Sequence, residues 1–587
     1  MLVDVTTTQY FETVPMARQT QLDGGRLVWP TDQPITITWD ATLAPAARWW
    51  ADAVRHAFDI DPMLVTQPQP TVQFIVNTGL PPSGYAISIT DTIAVHAADL
   101  AGAFAAAQTL RQLAGPNAFR AAPLPGAQLS LPTGTITDAP GCAWRGVHLD
   151  VSRHFMPPRE VRRFVELAAA HHLNVVQLHL TDDQGWRFES SHYPKLTSVG
   201  GWRVATARGQ ADSDPTPHGG FYTQDDLREI VAFGRARGVT VMPEIDLPGH
   251  VEAAIAAYPW LGTSKQPQGV RTTWGISEDV LDPGPNQVGF FCDVLDEVCD
   301  VFDSPFIHIG GDEVPTTLWQ GNPQIVARAA ELGFCKQDGT SDVTRLHGWF
   351  LAQMTDHLRQ RGRRAVVWDE AIGPDLPHDA IVMSWRGLRP AVQALSKGWD
   401  VVLAPEQFVY FDHRASDRPD EPSPIGFVRR VEDVYAFDVN LLADVPIEVT
   451  TSQNATAAKP MPQVAQGGLA QVPPPEKGRP GVVLGMQAEI WTEYLENPRR
   501  VDYAAFPRLA AFSEAAWGTA PADRAPGSPA SQRFMQRLAN AHLPRLAAAG
   551  VEFRPLDGPL PWQQKPDLPG RETDDLDEVM RAAGGLL

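Results

Sequence analysis

Two acids stand side by side in the segment FIHIGGDEV: Asp312 and Glu313, directly behind Gly310 and Gly311. Neighbouring carboxylates push their proton affinities apart, so one can keep a proton near neutral pH while the other is ionised. A proton donor beside an anionic stabiliser is what cleavage of a glycosidic bond requires. The two glycines let the backbone turn tightly and come close to a ligand. The competing reading is that the pair caps the next helix.

Other polar residues follow apolar runs in the same way. One run ends LDVSRHF, with Asp150 and Arg153. The next ends HLTDDQGW, with His179, Asp182, Asp183 and Trp186. A third ends PEIDLPGH, carrying Glu244, Asp246 and His250, and the fourth ends HIGGDE, adding His308. Later runs end in WDE (Trp368), SWRG (Trp385) and EIWTE (Trp491, Glu493), and YFD (Tyr410, Asp412) follows the seventh. Any one of these residues fits a structural ion pair or a cap; all of them together, at the same end of every run, suit the mouth of a sugar hydrolase.

The elements that must position them are strand-length runs at 144–151, 174–180, 240–245, 306–310, 365–369, 381–385, 400–404 and 482–490. Most are followed by amphipathic helical stretches, the clearest at 158–171, 223–237, 288–301, 343–361 and 507–516. Eight such strands imply an α/β protein with a (β/α)8 TIM barrel, whose active site lies at the C-terminal strand ends. The alternative is a doubly wound open sheet, but no GxGxxG follows the first strand.

The barrel is expected over 139–520, with a Pro/Gly-rich insertion near 413–480 that holds no clean helix. Residues 1–138 read as a smaller α/β accessory domain, with strands at 35–40, 71–77, 85–90 and 92–97 and helices at 46–58 and 101–113. Residues 521–587 read as a C-terminal segment with a helix at 531–548 and an acidic tail.

Composition narrows the partners. With 48 Lys and Arg against 69 Asp and Glu, the formal net charge is -21, which speaks against nucleic acid and anionic membranes. The 17 tryptophans mostly fill cores, yet an indole face also suits a sugar ring. Four cysteines without a CxxC make a zinc or redox site unexpected; Cys292 and Cys299 share one expected helix as small apolar residues. The N-terminal residues lack a basic and an apolar region, and no 18-residue apolar run occurs, so neither a signal peptide nor a membrane span is expected and a cytoplasmic protein is favoured.

The segments WRGVHLDVSRHF, NVVQLHLTDDQGWR, VMPEIDLPGH, FIHIGGDEV, VVWDE, SWRG and EIWTE, in this order, resemble glycoside hydrolase family 20, the β-N-acetylhexosaminidases. SGYAISIT and GAFAAAQTLRQL resemble that family's accessory domain. The resemblance implies substrate-assisted retaining catalysis, in which the substrate's 2-acetamido oxygen attacks the anomeric carbon and forms an oxazolinium ion; an intramolecular nucleophile saves the entropy of assembly. It implies Glu313 as acid/base, Asp312 as the residue holding the acetamido N–H, and Tyr410 as donor to the acetamido oxygen. Trp368, Trp385 and Trp491 match the apolar box, Arg153 the grip on the terminal hydroxyls, and Asp412 and Glu493 acceptors for O4 and O6. Asp182 and His250 match a relay that tunes Glu313, with His179 behind it. No cofactor is implied, and the partners would be β-linked N-acetylhexosamine glycans.

Three alternatives remain. A metal-dependent hydrolase could use His179, Asp182, His250, His308 and Asp312, but no HxH ends the first strand and no lysine stands ready to bridge two metals. A non-catalytic sugar-binding protein could have dropped the acid, yet Glu313, Asp312 and Tyr410 are all present. A lacto-N-biosidase-like member would release a disaccharide; Asp412 and Glu493 favour release of one sugar.

Overall fold

The computed structural model describes residues 11–565 except 30–33, 66–69, 209–211, 423–424, 443–462, 475–478 and 519. The acidic tail and much of the Pro/Gly-rich insertion fall outside the described residues.

Eight parallel strands close on themselves: β1 (Trp144–Asp150), β2 (Val175–His179), β3 (Thr240–Leu247), β4 (Phe306–Gly310), β5 (Arg364–Trp368), β6 (Ile381–Ser384), β7 (Asp400–Leu403) and β8 (Val482–Ala488). β8 pairs with β7 on one side and β1 on the other, which completes the TIM barrel. Strands covered on both faces read as near-continuous apolar runs, and every residue of β2 and of β4 is buried. Val176 and Leu178 join the large core shared with the helices, whereas Val175 joins an inner cluster drawn from all eight strands, including Trp144, Met242, Phe306, Val366, Ile381, Val402 and Leu484. Farther along the strands the buried residues turn polar: His148, Gln177, His179, Glu244, His308 and Gln487. The barrel is thus apolar at its floor and polar beneath its mouth.

The outer helices include α1 (Pro158–Ala170), α2 (Gln224–Arg235), α3 (Pro285–Val301), α4 (Arg345–Gln360), α5 (Leu388–Lys397) and α6 (Arg508–Trp517). Between β5 and β6 there is only a 3-10 turn, Asp369–Ala371. The connection expected to hold no clean helix contains two short ones, Glu406–Val409 and Val431–Ala436; at one to two turns they are too short to show a periodic pattern. The C-terminal helical run is Pro529–Arg537, a π-helical Leu538–His542 and Leu543–Ala548. Among the described residues no helix is long and apolar enough to cross a membrane.

The N-terminal sheet has seven strands, in the order Gln19–Val28, Ser130–Asp138, Tyr85–Ile89, Ile93–Ala97, Val72–Val76, Thr36–Trp39 and Met63–Leu64. Helices Ala44–Phe58 and Leu100–Leu113 contribute to its core. It is fastened to the barrel by the Trp517 indole, which donates to Asp138 at 2.9 Å, and by Gln112, whose amide donates to the Ala170 carbonyl at 3.1 Å.

Candidate active site

The site begins where β4 stops. Gly310 and Gly311 have φ of +67° and +100°, a region that L side chains rarely adopt. A Cβ on Gly310 would lie 1.6 Å from the Asp246 Oδ1, and one on Gly311 would lie 2.9 Å from Leu351. Glu313 itself has φ +46°, so the turn lifts the pair out of the strand path. The helix that follows, Thr317–Gln320, starts after Thr316 without a side-chain cap, so neither acid is a helix cap. Asp312 is buried, while the Glu313 side chain keeps 33% of its surface open.

Behind the pair runs a chain of buried polar groups. His250 Nε2 lies 3.4 Å from Glu313 and 3.6 Å from Asp312. Its Nδ1 faces Asp182 at 3.3 Å and Asp183 at 3.7 Å. Asp182 also accepts from Arg153 at 2.6 Å and from His179 at 2.8 Å. The other ring nitrogen of His179 meets Glu244 at 2.8 Å, and Glu244 accepts from the Trp368 indole at 3.1 Å and from Gln177 at 2.8 Å. His179 therefore stands one residue behind the relay. Asp150 serves the scaffold instead: it accepts from the backbone N–H groups of Ser152, Arg153 and Thr492, joining the exits of β1 and β8.

Aromatic rings gather on the other side. Trp368 and Trp491 are 6.1 Å apart between ring centroids, and Tyr410 lies 6.4 Å from both Trp385 and Trp491. Trp491 rests on His148 at 4.3 Å and lies 4.8 Å beneath the Arg153 guanidinium. The Trp491 indole hydrogen-bonds the Tyr410 hydroxyl. The Trp385 indole N–H is buried without an acceptor among the described residues. Tyr410 and Asp412 are held by backbone: Phe411 N donates to the Glu489 carbonyl at 2.8 Å, and buried Arg508 binds the carbonyls of Phe411 and His413 on either side of Asp412. Glu493 lies near both Arg153 and Asp412. The structure thus brings Arg153, Asp182, His250, Asp312, Glu313, Trp368, Trp385, Tyr410, Asp412, Trp491 and Glu493 to one mouth.

Several residues here take roles that the sequence had not given them. In WDE, Asp369 accepts from the backbone N–H groups of Trp385 and Arg386 at 2.9 and 3.0 Å and so sets Trp385 in place. Glu370 receives the Glu313 backbone N–H. Gln184 and Glu244 stood within the segments HLTDDQGW and PEIDLPGH without a role of their own, and Arg508 in none of the motif segments; their contacts supply the roles.

The electrostatics reverse one expectation. Burial, reinforced by Glu244, Glu313 and Glu370, raises Asp312 to about 7 despite opposition from His250. Burial also acts to raise Glu313, but the hydrogen bond and charge of His250, helped by Arg153, bring it below the ordinary carboxylate value. With the site open to water, a single proton on the pair therefore favours Asp312, not Glu313, because Glu313 is the more solvated and faces the imidazolium. Burial and the nearby Asp312 hold Asp246 well above its ordinary value, hence neutral. Burial also raises Glu493 and Asp412, each aided by neighbouring acids.

Four groups could in principle hold a cation: His148, His179 and Glu244; His179, Asp182 and Asp246; Asp182, Asp183 and His250; and Asp246, His250 and Asp312. In the two that include Asp182, that carboxylate already meets a guanidinium at 2.6 Å, a poor neighbour for a metal. In the first, His179 and Glu244 are committed to each other.

A model of the glycosyl hydrolase family 20 catalytic domain matches residues 142–520, and one of that family's domain 2 matches residues 10–139. A β-hexosaminidase of Porphyromonas gingivalis is 34% identical over 546 residues, covering 91% of this chain. The chain spans 62% of that relative's length. A β-hexosaminidase of Vibrio furnissii is 33% identical over 474 residues, covering 80% of this chain and 70% of that protein. The crystal structure of an exo-β-N-acetylglucosaminidase from Vibrio harveyi in complex with N-acetylglucosamine superposes with a TM-score of 0.76 at 28% identity, covering 94% of this chain and 80% of that one.

Proposed function

The chain belongs to glycosyl hydrolase family 20, and on that premise we propose that it is a retaining exo-β-N-acetylhexosaminidase acting by substrate assistance. The observation that carries the proposal is the placement of Asp312 and Glu313 between the aromatic group of Trp368, Trp385, Trp491 and Tyr410 and the Asp182–His250 relay.

In the first step the acetamido oxygen of the bound sugar attacks C1, and the glycosidic oxygen leaves with the proton of Glu313. Asp312 accepts the acetamido N–H and balances the positive charge that spreads over the oxazolinium ring. Tyr410 donates to the acetamido oxygen and holds it in line, with the methyl group among the tryptophans. In the second step Glu313 takes a proton from water, which opens the ring at C1 with overall retention. Arg153, Asp412 and Glu493 hold the terminal hydroxyls; a planar guanidinium suits a vicinal diol. Sugar binding also corrects the proton's position. The acetamido N–H favours the charged form of Asp312, and the aglycone strips water from Glu313, so the proton passes to the acid.

The substrates would be β-linked N-acetylglucosaminides or N-acetylgalactosaminides. The test is release of the aglycone from aryl N-acetyl-β-glucosaminides, with a thiazoline analogue of the oxazolinium as a tight competitive inhibitor. No hydrolysis, or weak inhibition, would refute the proposal.

A further inference from the structure

Residues 270–277 form part of the connection after β3 and reach the site from its Arg153 side. Arg153 Nε donates to Gln184 at 3.2 Å, and the Gln184 amide donates to the Thr273 carbonyl at 2.8 Å. The segment is fastened again ahead of Trp274, and beyond it the Ser277 hydroxyl donates to Glu252. The Arg271 backbone donates to the Asp183 carbonyl at 3.2 Å, the Arg271 guanidinium meets Glu252 at 3.0 Å, and Ala207 N donates to the Thr272 carbonyl at 2.8 Å.

The residue so held is Trp274. Its ring lies 5.7 Å from His154 and 6.4 Å from Tyr494, the neighbour of Glu493. The Arg203 guanidinium lies over it at 5.6 Å. The His154 ring is itself bonded to the Thr492 carbonyl at 2.5 Å, and Arg203 to the Gln184 carbonyl at 3.2 Å. Three buried polar atoms here have no hydrogen-bond partner among the described residues: Trp274 Nε1, Arg203 Nη2 and the Glu493 Oε2. Unmet buried polar atoms are costly unless a ligand or water completes them.

Resting on the reading of Arg153 and Glu493 as the grip on the terminal hydroxyls, we infer that Trp274 is the specificity-determining residue that ends the site after one sugar. A second sugar joined to a hydroxyl held by Arg153 would have to pass where Gln184 and the Trp274 ring stand. The ring is set among His154, Tyr494 and Arg203, and its segment is tied down on both sides of it, so displacing it breaks several contacts at once. The indole N–H is left to serve the terminal sugar.

The test compares the wild type, Trp274→Ala and Trp274→Phe on two p-nitrophenyl β-glycosides. One carries N-acetylglucosamine. The other carries galactosyl-β-1,3-N-acetylglucosamine, whose terminal sugar has no 2-acetamido group, so aglycone release reports removal of the intact disaccharide. The wild type and Trp274→Phe should cleave only the first. Trp274→Ala should cleave the disaccharide glycoside at least tenfold faster than the wild type, with the monosaccharide KM raised more than kcat is lowered. Should the alanine variant fail to fold, Trp274→Leu, which keeps an apolar contact with His154 and Tyr494, serves for the same comparison. A variant that still cleaves the monosaccharide without gaining disaccharide release overturns the role of Trp274 and leaves the proposed function standing. A wild type that releases the disaccharide also overturns it. A wild type inert toward the monosaccharide defeats the proposed function and this inference with it.

Discussion

The Nε2 of His250 faces the Glu313 carboxylate at 3.4 Å while its Nδ1 is backed by Asp182 at 3.3 Å. This arrangement holds a positive imidazolium against the residue proposed to give and take a proton in each cycle. Glu313→Gln removes that proton while keeping the shape, and should lower kcat/KM on an unactivated glycoside by about 10²–10⁴. The loss should shrink sharply with a 2,4-dinitrophenyl aglycone, which departs without protonation. Measured on both substrates, equal losses would mean that Glu313 is not the acid.

The pair sets the pH dependence. The proposed mechanism requires one proton on it, carried by Glu313 at the moment of bond cleavage. In the free protein the first proton leaves Glu313, which is held below its ordinary value, and the last, more tightly held proton leaves near the Asp312 value, raised to about 7. kcat/KM, which reports the free protein, should therefore fall as pH rises through about 7. In Asp312→Asn only the depressed Glu313 remains to hold a proton, so the alkaline limb should move to lower pH. The same substitution should lower kcat more than it raises KM, since Asp312 acts on charge that develops in the transition state. A limb that stays near 7 in the variant would assign it to another group.

A metal has little place among these residues, since Asp182 is occupied by Arg153 and His179 by Asp182 and Glu244. Hydrolysis should persist undiminished after dialysis against excess chelator. Loss of activity that returns with a divalent cation would revive the metal-dependent reading.

The barrel was legible because each strand's apolar run switches to polar residues at one end, and that switch also marks the mouth. The outer strands of the N-terminal sheet were not. Gln19–Val28 has no fully buried residue and sends only Leu22 and Leu27 toward the core, either side of DGGR, so its sequence QTQLDGGRLV carries no sustained alternation; it is held by pairing with Ser130–Asp138. Asp312 and Glu313 stood out as adjacent acids, whereas Arg508 is an ordinary residue at the start of a helix until the fold sets it against the carbonyls flanking Asp412. The proton preference within the pair was also beyond the sequence, because both acids meet His250 and the difference lies in how deeply each is buried. Trp274 lies in a segment without a periodic pattern, and only the tie of the neighbouring Thr273 to Gln184 and the ring contact with Tyr494 give it meaning.

Glu244 and His179 form a fully buried ion pair, with Trp368 and Gln177 drawing on the same carboxylate. Glu244→Leu would leave the buried Trp368 and Gln177 donors and the Nδ1 side of His179 without their acceptor, with Asp182 the one carboxylate still on that ring. Removing one partner of a buried pair costs about 3–5 kcal/mol, so the thermal midpoint should drop by several degrees. Glu244→Gln, which can still accept from the indole, should lose less and keep a KM closer to the wild type. Equal midpoints for the wild type and the leucine variant would show that the pair contributes nothing.

Gly310 offers the sharpest test of how the acids are placed. At φ +67° an alanine would bear strain of about 1–3 kcal/mol. Its Cβ would also fall 1.6 Å from the carboxylate oxygen of Asp246, a side chain buried against the floor of the site. The same Cβ would lie 2.9 Å from the Asp246 Cα, so turning the carboxylate aside does not remove the clash and the turn that carries Asp312 and Glu313 must shift. A displacement of about 1 Å can cost about 10²-fold in rate, so Gly310→Ala should lose both stability and most turnover. Gly321 in the same connection is the control: its φ is −78°, and an added Cβ would meet nothing closer than 3.8 Å. Gly321→Ala should match the wild type in midpoint and in kcat/KM. If Gly310→Ala did so as well, the glycine pair would not be what positions the acids.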